Sequence, residues 1–412
     1  MDINSVKEKI LSGEISSPAY VFSQEDFTTR VRKVKSALGE HIDICYSIKA
    51  NSFLLPILPK EFAKVEVCSP GEFAICKKLN IPSDKIILSG VNKQKKDIME
   101  GLEYGVNLIT AESISHIKYI QECAEALDIK ASVLVRLSDE SQFGIDQEEL
   151  ISIIKNRAAF PRIEFMGLHY FTGTAKTKAK EVYRELQRLK AVVARLEKEA
   201  SYFPLLVEYG PGLGVDYFPK EGIDSEDTEM TLLKEASLHL TEFLKDMKDI
   251  NSSFKLTVEM GRFFAASCGY YITKIEDIKN NDGTNYMIVD GGLHQHKYHG
   301  QLQGMKIPKV SHIKTPQEGN ADSIEDTSLW TVCGSLCTTQ DVLTRNLPLS
   351  APSIGDYLIF HKMGAYSVTE GMALFLSRDL PSLYLSSEEG KIITLRERIE
   401  TAYLNTAHPY SD

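Results

Sequence analysis

Short apolar, β-branched runs alternate with longer amphipathic stretches over the first two-thirds of the chain. Eight runs have the length and character of strands buried on both faces: Ile42–Ile48, Val65–Cys68, Ile86–Ser89, Asn107–Thr110, Ser132–Leu137, Phe165–His169, Leu205–Tyr209 and Lys255–Glu259. Between them, helical periodicity is clearest in Lys180–Ala200, where Val182, Leu186, Leu189, Val193 and Leu196 fall on one stripe. A second helix is predicted over Thr231–Met247, with Leu233, Ala236, Leu240 and Leu244 in register. Eight strands that each pair with a helix predict an α/β fold, a (β/α)8 TIM barrel.

The last third changes character. Tyr270–Ile275, Tyr286–Asp290, Ser328–Val332, Tyr357–Lys362 and Ile392–Leu395 are strand-like, and turn-rich pieces such as Asn280-Asn281-Asp282-Gly283 separate them. Helical periodicity is scarce there, so the pattern predicts a second, C-terminal β-rich domain, a barrel or sandwich. The polar stretch Lys314–Thr327 reads as a surface loop. The division expected is a barrel over 25–264 and a β-rich domain from 1–24 plus 265–412.

Composition adds limits rather than chemistry. With 412 residues, 43% of them hydrophobic and 25% charged, the chain can bury two ordinary cores. A net charge of -10 argues against nucleic acid or an anionic membrane as the main partner. Seven irregularly spaced cysteines do not form a disulfide framework. The N-terminal segment lacks an apolar h-region, and no run of apolar residues has the length of a membrane span. The setting expected is a reducing cytoplasm.

Six motifs carry candidate chemistry. Tyr46-Ser47-Ile48-Lys49-Ala50-Asn51 places a lysine at the end of an apolar strand, where poor solvation makes an amine nucleophilic toward an aldehyde. At the C-terminal end of the first barrel strand it faces the mouth where such enzymes work. A lysine that merely reaches solvent is the competing reading. Glu208-Tyr209-Gly210-Pro211-Gly212-Leu213-Gly214 follows a buried strand, and its glycines let backbone amides approach an anion. An ordinary turn would look the same. In Glu259-Met260-Gly261-Arg262 a carboxylate and an arginine can serve two ends of one cofactor, where otherwise they would form a surface salt bridge. Cys333-Gly334-Ser335-Leu336-Cys337-Thr338-Thr339-Gln340-Asp341 offers a thiol in a glycine-flanked loop, either a proton donor or a buried structural cysteine. No further ligands at zinc spacing accompany it, and no acid accompanies His294, His296 and His299, so no metal site is expected. Last come Gly355-Asp356-Tyr357 and Gly364-Ala365-Tyr366, where a tyrosine after small residues can reach a phosphate oxygen.

In this order and spacing the six motifs resemble the fold-type III pyridoxal-phosphate decarboxylases, the group of diaminopimelate, ornithine and arginine decarboxylases, over nearly the whole chain. The resemblance implies pyridoxal 5′-phosphate held as a Schiff base on Lys49. It implies phosphate contacts from Thr174, Gly212, Gly214, Arg262 and Tyr366, with Gly261 in the same turn. Glu259 would keep the ring nitrogen protonated, and Cys337 would act as a catalytic proton donor. It also implies a homodimer with shared active sites, the Cys337 loop coming from the partner subunit, and His294 and Asp341 bordering the substrate.

The departures from the family pattern are specific. Met260 replaces a proline. Phe171 stands where the family has the histidine that stacks on the cofactor ring; a phenyl ring can stack but cannot share protons. Thr338 replaces the acid that follows the cysteine and holds a distal ammonium in diamine-forming enzymes. The arginine that diaminopimelate decarboxylases place after the Asp290 strand is missing. Asp290-Gly291-Gly292-Leu293-His294-Gln295-His296 instead looks like a subgroup linked to antibiotic and exopolysaccharide clusters, some of whose members act on aminoacyl groups tethered to a carrier protein. The substrate expected is therefore a small amino acid or a carrier-bound aminoacyl group, with a glutamyl group favoured. Diaminopimelate decarboxylation, amino-acid racemisation and a non-catalytic binding role are the alternatives.

Overall fold

In the computed structural model, which describes residues 3–106, 108–220, 224–316 and 327–407, the alternation of the first two-thirds becomes a closed barrel. A short strand β1 (Ala19–Ser23) comes first. Eight strands follow: β2 (Ile42–Ser47), β3 (Phe62–Val67), β4 (Ile86–Leu88), β5 (Leu108–Ala111), β6 (Ala131–Arg136), β7 (Ile163–Phe171), β8 (Leu206–Gly210) and β9 (Lys255–Met260). Each pairs in parallel with the next, and β9 closes on β2 with Ile42 opposite Leu256 and Cys45 opposite Glu259. All eight predicted strands are present, with ends shifted by up to three residues. Asn107 lies outside the described residues.

Inside the barrel, Cys45, Ile87, Leu108 and Leu134 pack as an apolar plug with Met166 and Leu206 against them. The helix Ala179–Ala200 buries Val182, Leu186, Leu189, Val193 and Leu196, the predicted stripe, together with Val192. The helix predicted from Thr231 begins earlier, spanning Ser225–Ile250. Its first turn carries Glu226 and Asp227, which suit a helix N-terminus electrostatically but add nothing to an apolar stripe.

The remaining strands are β10 (Gly269–Asn281), β11 (Thr284–Val289), β12 (Val310–Ile313), β13 (Thr327–Cys333), β14 (Val342–Ser350), β15 (Tyr357–His361), β16 (Ser382–Ser386) and β17 (Ile392–Arg396). With β1 they make one nine-stranded mixed sheet in the order β14-β13-β11-β10-β1-β16-β17, and β15 joins β10 to β12. The long β10 serves three neighbours: its first half pairs with β1 and β15, and its second half, after a bulge, with β11. The helix Ile3–Leu11 covers part of this sheet, with Val6 and Ile10 against Val21, Ile272 and Ile359.

Four strands here were not predicted: β1, β12, β14 and β16. Three are only four or five residues long. The fourth, β14, contains Pro348, which argues against a strand unless the strand lies at an edge, and β14 is the terminal strand of the sheet. The predicted loop Lys314–Thr327 lies mostly outside the described residues.

The chain forms two compact units, one of Arg30–Val215 and Glu226–Phe264, the other of Met1–Thr29, Asp216–Ser225 and Ala265–Asp412. No helix among the described residues is long and apolar enough to cross a membrane.

Candidate active site

Lys49 stands one turn beyond its strand. β2 ends at Ser47, and Ile48–Ala50 wind into a 3-10 turn. Two contacts fix that turn. The Tyr46 hydroxyl donates to the Asn51 carbonyl at 2.9 Å. Gly261, at the end of β9, packs so close that a Cβ there would lie 2.8 Å from the Ala50 Cβ. The expectation of a poorly solvated amine needs correction, because the Lys49 side chain is 39% exposed. What singles the amine out is its acidic surroundings: Nζ lies 2.9 Å from Glu66 Oε2, 3.4 Å from Glu259 Oε1 and 3.7 Å from Cys68 Sγ.

Glu259 is the most heavily engaged acid. Ser47 Oγ donates to Oε1, and His169 Nε2 lies 3.1 Å from Oε2. Burial pushes this carboxyl up, but the Lys49 charge and the His169 contact outweigh it and hold Glu259 well below the usual carboxylate range. Its neighbours go the other way. Burial and the Glu259 charge push Glu66 up. The same two causes, with Glu66 added, push Glu208 well above its ordinary value. In a buried cluster of like charges the members' proton affinities are driven apart, and here Glu259 is the one held toward its ionised form while Glu66 and Glu208 are pushed toward their neutral forms. Glu208 is fully buried on β8, and among the described residues neither of its oxygens has a well-formed hydrogen bond. Ligand atoms of Glu66, His169 and Glu259 lie within 4.8 Å of one another, and the cation found beside them is the Lys49 ammonium.

The loops after β7 and β8 run side by side, with Lys176 paired in parallel to Leu213. Gly212 has φ +59°, and a Cβ on it would stand 1.9 Å from the Gly173 carbonyl oxygen. Gly214 donates its N–H to the Lys176 carbonyl at 2.7 Å. These glycines therefore have a first, local duty: they let two loops touch. Phe171 ends β7 half-buried with its ring on Gly210, and Thr174 is exposed. Arg262 opens the short helix Arg262–Ala265 directly after Gly261. Lys49, Phe171, Thr174, Gly212, Gly214, Glu259, Gly261 and Arg262 thus all lie at the C-terminal ends of barrel strands or just beyond them, the end where barrel enzymes carry their chemistry.

The other expected residues belong to the second unit. Cys337 is exposed. Asp341 is buried, and both carboxylate oxygens accept backbone N–H groups at 2.7 Å, from Leu293 and Leu336. It therefore ties the His294 segment to the Cys337 loop. Burial and Arg378 push the His294 imidazole down to about 4, so it is neutral near pH 7. Tyr366 has φ +65°, a left-handed backbone that bulky residues rarely adopt and that concentrates at functional sites.

Sequence reasoning missed Glu66, His169, Glu208 as an acid, and Lys176. Glu66 and Glu208 carried a usable signal, a lone charge inside an apolar strand. A further polar group was also missed: Glu112 and Arg136 pair at 3.1 Å, and burial pushes the amine of nearby Lys93 down to about 8.

Comparison with known proteins adds the following. Residues 24–266 match the pyridoxal binding domain of the pyridoxal-dependent decarboxylases. The decarboxylase of an L-glutamyl group on the BtrI acyl-carrier protein, from Niallia circulans, is 23% identical over 402 residues, 92% of this chain and 91% of that one. A diaminopimelate decarboxylase from Methanocaldococcus jannaschii is 25% identical over 414 residues, 94% of this chain and 90% of that one. The crystal structure of the M. jannaschii diaminopimelate decarboxylase with L-lysine superposes with a TM-score of 0.82 at 24% identity, covering 98% of this chain and 94% of the other.

Proposed function

We propose, from the premise that this chain belongs to the pyridoxal-dependent decarboxylases, that it removes the α-carboxylate of an amino-acid-type substrate using pyridoxal 5′-phosphate held on Lys49. The observation that carries the reading is the meeting of the Lys49 amine with the Glu259–His169 pair at the barrel rim, inside the matched segment. The residues suit the cofactor's two ends. A partly exposed amine is open to an aldehyde, a carboxylate held toward its ionised form suits a protonated ring nitrogen, and a loop with the left-handed Gly212, together with an arginine at the end of the next strand, suits a phosphate.

When bound, the cofactor supplies a ring that accepts the electron pair left behind as CO2 departs. Everything else falls to the chain. Lys49 provides the amine for covalent attachment, and the Glu66 and Glu259 carboxyls orient it. Glu259 keeps a negative charge for the ring nitrogen, and Ser47 and His169 fix its two oxygens. Thr174, Gly212, Gly214, Gly261, Arg262 and Tyr366 are assigned to phosphate, and Phe171 to the face of the ring. Cys337 is assigned the proton donated to the substrate's α-carbon, with His294 and Asp341 along the substrate. We assign Cys337 to the partner subunit's site in a homodimer, with residues 25–264 as the cofactor domain.

For the substrate, the favoured reading is a glutamyl or similar group on a carrier protein. Thr338 offers no charge to a distal ammonium, and a relative over nine-tenths of the chain acts on such a group. Free diaminopimelate is the second reading, favoured by the names of several relatives. Borohydride reduction of the cofactor-loaded protein, followed by peptide mapping, should place the added mass on Lys49. CO2 release should then be compared between glutamyl-carrier protein and free diaminopimelate. A protein that takes up no coenzyme, or that carries it on another lysine, overturns the reading.

A further inference from the structure

One buried cation between the paired loops after β7 and β8 has no role in the scheme above. Lys176 is 7% exposed, and its Nζ donates to three acceptors: the Pro211 carbonyl at 3.0 Å, the Gly173 carbonyl at 3.3 Å and the Glu185 carboxylate at 3.1 Å. The main chain runs the same way, with Lys176 N donating to the Gly212 carbonyl at 3.0 Å. Glu185, on the helix Ala179–Ala200, also accepts from the Thr172 and Tyr209 hydroxyls. A single carboxylate therefore ties the ends of β7 and β8 to the lysine between them.

A buried ion pair is weak stabilisation, because desolvation consumes most of the attraction. Its value here is directional. The carbonyl oxygens of Gly173 and Pro211 converge on one point, and without a cation between them they would repel. Each trans peptide holds its N–H opposite its C=O. With the Gly173 and Pro211 oxygens drawn onto Nζ, the N–H groups of the same two peptides, those of Thr174 and Gly212, point away from the lysine. Among the described residues neither of these N–H groups has an acceptor.

We propose that Lys176 is a positioning residue of the phosphate site: its ammonium holds the Gly173 and Pro211 carbonyls inward and so presents the Thr174 and Gly212 N–H groups to an anion. The inference rests on the cofactor reading above and adds to it a residue whose ammonium acts through the main-chain carbonyls it holds. Glu185 balances the lysine's charge, so the effect on the anion comes through peptide orientation more than through Coulomb attraction at a distance.

The test compares the affinity of the apo-protein for pyridoxal 5′-phosphate with that for pyridoxal, which lacks the phosphate, by spectrophotometric titration. In Lys176→Met the preference for the phosphorylated ligand should fall by about tenfold or more, while pyridoxal binding stays at the wild-type level. Should Lys176→Met not fold, Lys176→Gln keeps an amide NH2 donor group without the charge or the reach, and should lose about threefold or more of the preference. A preference unchanged in the variant that folds, or an equal loss for both ligands, overturns the proposal and leaves the cofactor reading intact. Wild-type protein that binds neither ligand overturns both.

Discussion

Lys49, in the turn after β2, and Glu66, on the neighbouring strand β3, approach to 2.9 Å, and of the two carboxyls that the amine touches, Glu66 is the one pushed toward its neutral form. The two acids beside the amine are therefore driven in opposite directions, Glu259 toward its ionised form and Glu66 toward its neutral one. Lys49→Ala removes the amine of this cluster, the group that can form a borohydride-reducible imine with an aldehyde. Borohydride-reduced variant should carry no added mass, and CO2 release should fall by about a thousandfold or more. Undiminished turnover in the variant would end the scheme.

The unequal charges of the two acids make a paired prediction. Glu259→Gln removes the ionised carboxylate, so turnover should fall by about a hundredfold to a thousandfold. Glu66→Gln replaces a carboxyl already pushed toward its neutral form, so turnover should fall by about tenfold or less. Equal losses in the two variants would show that the charge is shared between them.

Gly212→Ala must fit a methyl where the Gly173 oxygen stands, on a left-handed backbone. The apo-protein should lose about 2 kcal/mol or more in chemical denaturation, and cofactor affinity should fall with it. An alanine variant as stable as wild type would mean that the loops meet with more room than the structure gives them.

Glu208 predicts a pH dependence with a definite sign. Burial, Glu259 and Glu66 raise its folded value above the 4.5 of an ordinary glutamate. Above pH 4.5 the unfolded chain releases this proton while the folded chain keeps it, so the group's contribution to stability declines as pH rises through that window. Glu208→Gln cannot titrate. Relative to wild type, the variant should therefore gain stability as pH increases from 5 to 8, read as the difference between denaturation midpoints. A difference that stays constant across that range would mean Glu208 ionises normally.

Much of this architecture was legible because buried parallel strands write a simple signature: short apolar runs at barrel spacing. Lys49, Glu259 and Gly212 could be found because each sits at the end of such a run. Legibility failed where local pattern and tertiary placement diverge. β14 is a strand despite Pro348 because it lies at an edge. In the sequence Lys49 reads as poorly solvated because it stands at the end of an apolar strand, whereas the chain turns after Ser47 and leaves the side chain 39% exposed. Lys176 was invisible because its three acceptors, two carbonyls and Glu185, come together only when two loops and a helix meet. Glu66 and Glu208 each stand as a single charge in a predicted apolar run, a signal whose meaning, a shared acidic cluster with Glu259, comes only from neighbours brought together by folding.

Strand β1 lies inside the mixed sheet, antiparallel to β10 on one side and parallel to β16 on the other. Its partners are separated from it by the entire barrel. A nascent chain leaving the ribosome makes Ala19–Ser23 long before Gly269 or Ser382 exists, so this fully buried segment must wait, unpaired and apolar, while the barrel is synthesised. Completing the sheet is therefore a late event, and the interval before it is when the chain is most exposed to aggregation or in need of a chaperone.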